Sequence, residues 1–336
     1  MSKLLNCLIN KDHSYLPIWF MRQAGRYLPE FRDIRKKKPD FFKLCLDTDL
    51  ASKITLQPIK RFDLDAAIIF SDILMVPYAL GQNIEFVDNV GPRTIDFNLD
   101  KFLSIKKDYF LSKLKPVYNS IKKTRSLLNK DKSLIAFVGA PWTLLIYLLN
   151  MKDKKLLGDK PIKYDKQTAN VIIEKLSEFL KYHIYNQIKS GADIVQIFDS
   201  WAGLLNKEDL EDLCYKPNLE LVNFCKENNI PTICFPKGLG AFYKNFVDYV
   251  KPDGISIDYD IDPQWAKENL NKCCIQGGMK PSLLLEKEEI VIKEVEKYLR
   301  TFNNNPYIFN LGHGILPQTN PNIITKIIEK IRNIKR

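Results

Sequence analysis

The chain has 336 residues, of which 45% are hydrophobic and 27% charged, and its formal net charge is +11. This composition is typical of a globular protein, and no run of 18 apolar residues occurs, so no membrane-spanning helix is expected. The excess charge comes mainly from scattered lysines without zinc-finger spacing or an RNA-binding aromatic motif, so no nucleic-acid partner is expected.

Short apolar runs alternate with longer segments of helical periodicity along the chain. Most of these runs are apolar throughout, as in parallel strands that are covered on both faces. The clearest helix covers about 167–189, where apolar residues from Ile172 to Ile188 form one stripe, and it ends at Gly191. The predicted strands are 17–22, 66–70, 133–139, 193–199, 231–236, 254–259, 272–278 and 307–313.

Eight strands alternating with helices predict an α/β fold. At this length they favour a single-domain (β/α)8 TIM barrel over residues 1–336. A doubly wound sheet is the alternative, but it normally has a glycine-rich phosphate loop after its first strand, and Arg22–Arg26 is not one. Residues 71–100 interrupt the alternation of strands and helices. They predict a loop with a small hairpin on the upper rim of the barrel.

Arginines cluster where the first predicted strand ends. Arg22 and Arg26 lie four positions apart, and Arg32 and Arg35 follow soon after. Because a guanidinium is a planar fork that matches a carboxylate, this cluster predicts a site for an acidic small molecule. The alternative is a set of surface arginines that pair with neighbouring acidic residues such as Glu30.

Polar side chains also follow other predicted strands, at the edge where catalytic groups of such barrels lie. Asp72 follows the second strand, although it would also suit a helix N-cap. Tyr147 lies in an apolar helix after the third strand and would also suit the core. Ser200 follows the fourth strand and could cap a turn. His313 stands between two glycines, which would let the backbone approach a neighbour closely.

The sequence implies no cofactor and no metal. It contains no glycine-rich nucleotide loop and no His/Cys cluster with metal-ligand spacing. A Schiff-base lysine is the open alternative, with Lys237 after the fifth strand as the candidate. His13 and His183 are predicted to be structural or exposed. The seven cysteines form no CxxC pair and the N-terminus lacks a secretory signal, which predicts reduced thiols and a cytoplasmic location.

Five blocks, in this order and spacing, closely resemble the uroporphyrinogen decarboxylase family. They are PIWFMRQAGRYLPEFR from Pro17, FSDIL from Phe70, GAPWT from Gly139, QIFDSWAG from Gln196 and NLGHG from Asn310. The resemblance spans about residues 5–332 and implies a single-domain barrel that needs no cofactor and is commonly a homodimer. One departure occurs after the seventh strand. The family usually reads Gln-Gly-Asn-Leu-Asp-Pro there, but residues 276–281 read QGGMKP, which loses an amide and replaces an acid with Lys280.

The resemblance implies that the four acetate arms of uroporphyrinogen III are decarboxylated to methyl groups, which gives coproporphyrinogen III. Asp72 would accept the pyrrole N–H groups of a cationic ring, and neighbouring arginines are expected to keep it ionised. Arg22 is the candidate for proton delivery, with Tyr147 as a third catalytic residue. The expected substrate-binding residues are Arg22, Gln23, Ala24, Gly25, Arg26, Arg35, Asp72, Tyr147, Ser200 and His313.

Two other functions fit parts of the sequence. A corrinoid- or thiol-dependent methyltransferase on the same barrel would carry a His-x-Cys zinc pair near the fifth strand, but that strand ends Cys234-Phe235-Pro236-Lys237. A non-enzymatic binder of anionic tetrapyrroles would explain the arginines but not Asp72 among them.

Overall fold

The computed structural model describes residues 1–87, 91–151 and 164–333. The strands are β1 (Ala66–Ile68), β2 (Asn83–Val87), β3 (Gly91–Ile95), β4 (Ser133–Gly139), β5 (Ile194–Asp199), β6 (Thr232–Pro236), β7 (Gly254–Ile257), β8 (Cys274–Gly277) and β9 (Tyr307–Ile308). The α-helices are α1 (Lys3–Asn10), α2 (Pro29–Lys37), α3 (Phe41–Cys45), α4 (Thr48–Arg61), α5 (Met75–Ala79), α6 (Leu99–Ser104), α7 (Lys107–Leu127), α8 (Pro141–Leu148), α9 (Lys166–Lys189), α10 (Lys216–Glu227), α11 (Tyr243–Val250), α12 (Pro263–Asn269), α13 (Glu288–Thr301) and α14 (Pro321–Arg332). A π-helical turn, Glu211–Tyr215, precedes α10, and 3-10 turns cover Ala202–Leu204, Lys207–Asp209, Gly240–Phe242 and Pro281–Leu285.

Seven strands form one sheet in the order β1-β4-β5-β6-β7-β8-β9, and each neighbouring pair is parallel. This confirms the predicted α/β fold with a parallel sheet. The order follows the chain without the reversal that creates the crevice of a doubly wound sheet, so it argues against that alternative. The closed eight-stranded barrel and the single domain remain predictions.

The first predicted strand, 17–22, does not form a regular ladder. It makes a single parallel bridge, between Ile18 and Phe309 of the segment after β9. On its other side the backbone N–H of Asp65 donates to the Ile18 carbonyl at 2.9 Å. The Ile18 N–H, however, donates to the Asp65 carboxylate at 2.8 Å, so a side chain replaces the next backbone acceptor. The segment therefore lies between β9 and β1 without being a strand.

The apolar side chains of the sheet divide between two clusters. Along β4, Leu134, Ala136 and Val138 join the large cluster that the helices cover. The alternating residues Ile135 and Phe137 lie in or against a second cluster. That cluster draws on the segment 17–21 and on strands from both ends of the sheet order. Both faces of the sheet are therefore buried, as the continuous apolar runs predicted.

Residues 71–100, which interrupt the alternation of strands and helices, contain the predicted hairpin. Strands β2 and β3 pair antiparallel as a separate two-stranded sheet. The hairpin is attached to the end of α8, because the Thr94 hydroxyl donates to the Tyr147 carbonyl at 3.0 Å. The amide of Asn150 bonds the Thr94 backbone on both sides, at 3.0 and 2.7 Å. The hairpin thus meets the chain next to one of the predicted site residues.

The helix predicted over 167–189 is confirmed as α9, with Gly191 directly beyond its C-cap. His183 on this helix is buried and bonds the Tyr118 hydroxyl through Nδ1 at 3.1 Å. Burial lowers the pKa of His183 to about 3, so it is a neutral structural residue, as predicted. His13 is exposed, which also fits the prediction. Among the helices that the structure describes, none is both long and apolar enough to cross a membrane.

Asp65 joins the two ends of the chain to the sheet. Its carboxylate, which is 8% exposed, precedes β1. One oxygen accepts from the Ile18 N–H and from the guanidinium of Arg332 on α14, both at 2.8 Å. The other oxygen accepts from the Tyr15 hydroxyl at 3.2 Å. This single group therefore positions the first segment and the last helix together.

We expect Asp65→Ala to lower the free energy of unfolding by about 3 kcal/mol or more, because it leaves Arg332 and the Ile18 N–H without this buried partner. Asp63→Ala is the matched control. Asp63 also bonds Arg332, at 3.2 Å, but it is 69% exposed, so its loss is expected to cost less than about 1 kcal/mol. Urea unfolding followed by circular dichroism measures both. Equal losses would contradict the role given to Asp65.

Candidate active site

The predicted site residues gather at the carboxyl end of the parallel sheet. Asp72 follows β1, Ser200 follows β5, and His313 follows the segment after β9. Arg22 follows the segment that lies between β9 and β1. The charge of Arg22 acts on the pKa values of Asp72, Tyr147 and His313, which places these four residues around one centre.

Arg22 is held in an unusual backbone conformation. Its φ is +60°, a left-handed value that non-glycine residues seldom adopt and that costs free energy. Its side chain lies directly over Gly314, where an added Cβ would overlap the Cδ and Cγ carbons of Arg22. On the other side of His313, a Cβ at Gly312 would overlap the backbone of Tyr259. The predicted close approach at these two glycines is therefore confirmed.

Asp72 is half-buried and uses one carboxylate oxygen in a local turn. Oδ1 accepts from the Leu74 N–H at 2.8 Å, ahead of α5. The helix itself begins after Leu74, so Asp72 bonds the turn without being the N-cap residue. Its Oδ2 accepts no hydrogen bond from any residue that the structure describes. One oxygen of Asp72 is thus left for a ligand.

Burial raises the pKa of Asp72 to about 6, and the bond from Leu74 and the charge of Arg22 only partly oppose this shift. The positive charge nearby does favour the ionised carboxylate, as expected, but burial has the larger effect on its pKa. Lost hydration outweighs the attraction, since none of the arginines in the described part of the chain forms a direct ion pair with Asp72. The group is mostly ionised at pH 7, in poorly hydrated surroundings.

Tyr147 faces the same centre from the end of α8. Its ring packs edge-on against Trp201, with ring centres 6.2 Å apart. Burial raises the pKa of the hydroxyl, the Asp72 carboxylate raises it further, and Arg22 opposes this. Tyr147 is therefore a neutral hydroxyl at physiological pH, near the carboxylate that it was predicted to serve.

The loop that carries Ser200 is fixed by a buried network. Asp199 accepts from the Thr143 hydroxyl at 2.6 Å, and that hydroxyl accepts from the Trp201 N–H at 3.1 Å. The second oxygen of Asp199 accepts from Asn218 at 3.1 Å. Sequence reasoning missed this network. Thr143 and Asp199 stand inside two of the resembling blocks, but nothing in their spacing shows that they bond each other.

His313 is half-buried, with its ring 6.5 Å from that of Phe235. Burial lowers its pKa to about 4, and the positive charges of Arg22 and Lys237 act in the same direction. The imidazole is therefore neutral at pH 7 and can offer one N–H to a ligand.

The arginines of the first loop are not paired with the nearby acids. Glu30 instead forms a two-bond pair with Arg61, at 2.8 and 2.9 Å. Within the described ranges, no carboxylate lies in ion-pair distance of any of the four clustered arginines. The surface-pairing alternative is therefore wrong, and the cluster retains its capacity for acidic groups. These arginines are Arg22, Arg26, Arg32 and Arg35.

The remaining predicted residues lie around this loop. Arg26 is exposed, and Arg35 at the end of α2 donates to the Lys38 and Pro39 carbonyls at 3.3 and 2.5 Å. The buried amide of Gln23 accepts from the Phe20 N–H and donates to the Ala66 carbonyl, both at 3.0 Å. Its polar atoms thus support the loop. Ala24 and Gly25 are half-buried within it.

Metal-ligating side chains do not cluster in the described part of the chain. There, no three His, Cys, Asp or Glu side chains lie close enough to hold a metal ion together. The seven cysteines are buried and unpaired.

The chain was then compared with known proteins. Residues 1–334 match the sequence profile of the family described as uroporphyrinogen decarboxylase (URO-D). A uroporphyrinogen decarboxylase from Rickettsia bellii is 42% identical over 333 residues, which are 98% of each chain. One from Orientia tsutsugamushi (strain Ikeda) is 41% identical over 340 residues, which are 99% of this chain and 98% of that one.

Two solved structures are similar in fold. A methyltransferase from Methanosarcina mazei has a TM-score of 0.79 at 17% identity, covering 98% of this chain and 97% of that one. A putative vitamin-B12 independent methionine synthase from Listeria monocytogenes has a TM-score of 0.58 at 13% identity, covering 96% of each. At these identities the likeness concerns the fold alone. The family profile and the curated relatives extend over nearly the whole chain, and the chain therefore belongs to the uroporphyrinogen decarboxylase family.

Proposed function

We propose that this protein is a carboxy-lyase that decarboxylates the four acetate arms of uroporphyrinogen III to methyl groups, giving coproporphyrinogen III in haem and porphyrin biosynthesis. Family membership supports the reaction, and one observation in the structure supports its location. Within the residues that the structure describes, one oxygen of the poorly hydrated Asp72 carboxylate accepts from no donor, and Arg22, whose charge acts on it, has no acidic partner.

The reaction needs a group that accepts the electron pair left behind when carbon dioxide departs. A proton adds to the ring carbon adjacent to the one that bears the acetate arm, which makes the ring cationic and leaves the arm-bearing carbon able to accept an electron pair. The bond to the carboxylate then breaks, carbon dioxide leaves, and the electron pair moves into the ring to form an exocyclic methylene. A proton adds to the methylene and the first proton leaves the ring carbon. Each cycle therefore consumes one proton and releases one carbon dioxide.

Asp72 stabilises the cationic ring. Its oxygen without a donor accepts the pyrrole N–H groups, which a domed macrocycle can direct at one acceptor. Because the carboxylate has already lost much of its hydration, little solvent must reorganise when the positive charge develops. The interaction strengthens as the charge forms, so it favours the transition state over the bound substrate.

The other residues hold the substrate and move its protons. Arg22, whose charge acts on Asp72, delivers the proton to the ring, directly or through water, although arginine is a weak acid and must recover that proton at once. Arg26 and Arg35 bind acetate or propionate carboxylates. Tyr147 and Ser200 donate to Asp72 or to a carboxylate of the arm, and the neutral His313 donates at the opposite wall. Gln23, Ala24 and Gly25 shape the loop that contacts the substrate.

We also propose the finer architecture. The segment 17–21, bonded to Phe309 on one side and to Asp65 on the other, completes an eight-membered barrel, and the inner cluster to which it contributes supports this. Residues 1–336 would then form a single domain. A homodimer is proposed from the family resemblance, and a cytoplasmic location from that resemblance together with the seven free thiols.

Anaerobic incubation with uroporphyrinogen III tests the reaction. Mass spectrometry should show stepwise loss of four carboxyl groups, and activity should survive exhaustive dialysis against a chelator, because the site supplies its charges from side chains. Binding of uroporphyrinogen without any loss of carboxyl groups would favour the non-enzymatic binder. Activity lost on chelation and restored by zinc would favour a metal-dependent enzyme.

Asp72 is the residue whose loss should affect turnover most. Asp72→Asn removes the charge and should lower kcat by about 10²–10³, whereas Asp72→Glu keeps a misplaced charge and part of the activity. Because the folded pKa is raised from 3.8 to about 6, the fold loses stability as the pH rises between those two values, and the full loss is present above about pH 6. Asp72→Asn should therefore be at least as stable as the wild type at pH 7.5. The wild-type rate should fall below pH 6, and a flat profile between pH 5 and 7 would contradict this role.

Gly314→Ala tests the support of Arg22. The added methyl would overlap the Arg22 side chain and displace it from the centre, so we expect about a 100-fold loss of turnover, the cost of a displaced catalytic group. Gly240→Ala is the control for an added methyl group without overlap, because the space around its Cβ position is empty within 4 Å, and its φ of +55° adds a backbone cost that Gly314 does not have. Thermal unfolding checks that both variants fold. Normal turnover in Gly314→Ala would show that Arg22 is not held there.

A further inference from the structure

Two lysines border the site on the side of His313, and the chemistry above does not use them. Lys237 follows β6 and Lys280 follows β8. The Nζ atom of each lies 5.9 Å from the centre of the Tyr259 ring. The two ammonium groups are therefore no more than twice that distance apart, and both lie near the same aromatic ring.

Backbone bonds fix Lys237 beside the Ser200 turn. Its N–H donates to the Asp199 carbonyl at 3.0 Å, and its carbonyl accepts from the Gly203 N–H at 2.9 Å. Its charge also contributes to the lowered pKa of His313, after burial and Arg22. Lys237 is therefore part of the rim of the site.

Lys280 is tied to the same rim through its neighbour. The Met279 carbonyl accepts from the Gly312 N–H at 2.8 Å, and Met279 forms a parallel bridge with Leu311. Lys280 itself is exposed. The position of Lys280 is therefore fixed relative to the loop that carries His313.

Neither lysine is neutralised by the protein. No carboxylate in the part of the chain that the structure describes lies within ion-pair distance of either ammonium. Asp258, which adjoins Tyr259, has its carboxylate occupied by the Gly238 N–H at 2.7 Å, the Tyr243 hydroxyl at 3.2 Å and the Asp260 N–H at 3.0 Å. The two positive charges therefore remain available to an anionic ligand.

We propose that Lys237 and Lys280 form a lysine clamp that binds a carboxylate side chain of the porphyrinogen beside the loop that carries His313. The proposal rests on the proposed function, since it assigns a second subsite for the same polyanionic substrate. An ammonium on a flexible stem is a point charge that can follow an arm into several positions. This suits a substrate whose four rings must each occupy the reacting position in turn.

Lys280→Asp tests the clamp against Lys130→Asp. Lys130 is an exposed lysine in the turn before β4, at the amino end of the sheet, and the change in net charge is the same. In anaerobic kinetics with uroporphyrinogen III, we expect Lys280→Asp to raise KM about tenfold, the effect of one charge-assisted contact, with kcat within about twofold. Lys237→Gln should raise KM in the same direction. Lys130→Asp should leave both constants within about twofold of the wild type.

Binding without turnover separates this proposal from the proposed function. In an Asp72→Asn background, equilibrium binding of uroporphyrinogen III should weaken about tenfold when Lys280→Asp is added, and its dependence on ionic strength should become less steep. Wild-type turnover together with equal KM and equal binding in Lys280→Asp and Lys130→Asp would overturn the clamp alone. Absence of turnover in the wild type would overturn the proposed function, whereas a selective loss of binding in Lys280→Asp would still support the clamp.

Discussion

The placement of the first chain segment depends on one buried carboxylate. Asp65 offers a side-chain acceptor where a regular ladder would offer a backbone carbonyl, and it draws Ile18 and Arg332 to the same point. The segment therefore lies between the two edges of the parallel sheet and delivers Arg22 to its carboxyl end. Ionic and backbone bonds made by Asp65 thus help to determine where Arg22 lies.

The site resolves two opposing demands on Asp72. A direct ion pair with Arg22 would lower the pKa of the carboxylate, but it would also occupy the oxygen that we propose as the acceptor for the substrate. Without such a pair, burial raises the pKa to about 6. The proposed cationic intermediate would compensate this unfavourable charge.

Much of the fold and part of the site could be predicted from the sequence. Seven of the eight predicted strands lie where the apolar runs indicated, and α9 ends as its glycine predicted, because periodicity and turn residues act locally. The segment 17–22 is not the regular strand that was predicted, because the acceptor for one of its backbone N–H groups is a side chain distant in the sequence. The raised pKa of Asp72 was not predicted, because the hydration of this carboxylate depends on surrounding residues that no sequence motif identifies. The support of the Ser200 turn by Asp199 is likewise a long-range contact.

The contact between Arg22 and Gly314 has a consequence for synthesis of the protein. The ribosome makes Arg22 near the start of translation and Gly314 near its end, and the neighbours Phe309 and Arg332 of the first segment also come late. The apolar residues before Arg22 must therefore wait for most of the chain before they gain their final neighbours. During that interval they are open to incorrect pairing, and a nascent chain that ends before its last strand and helix lacks the contacts that position Arg22.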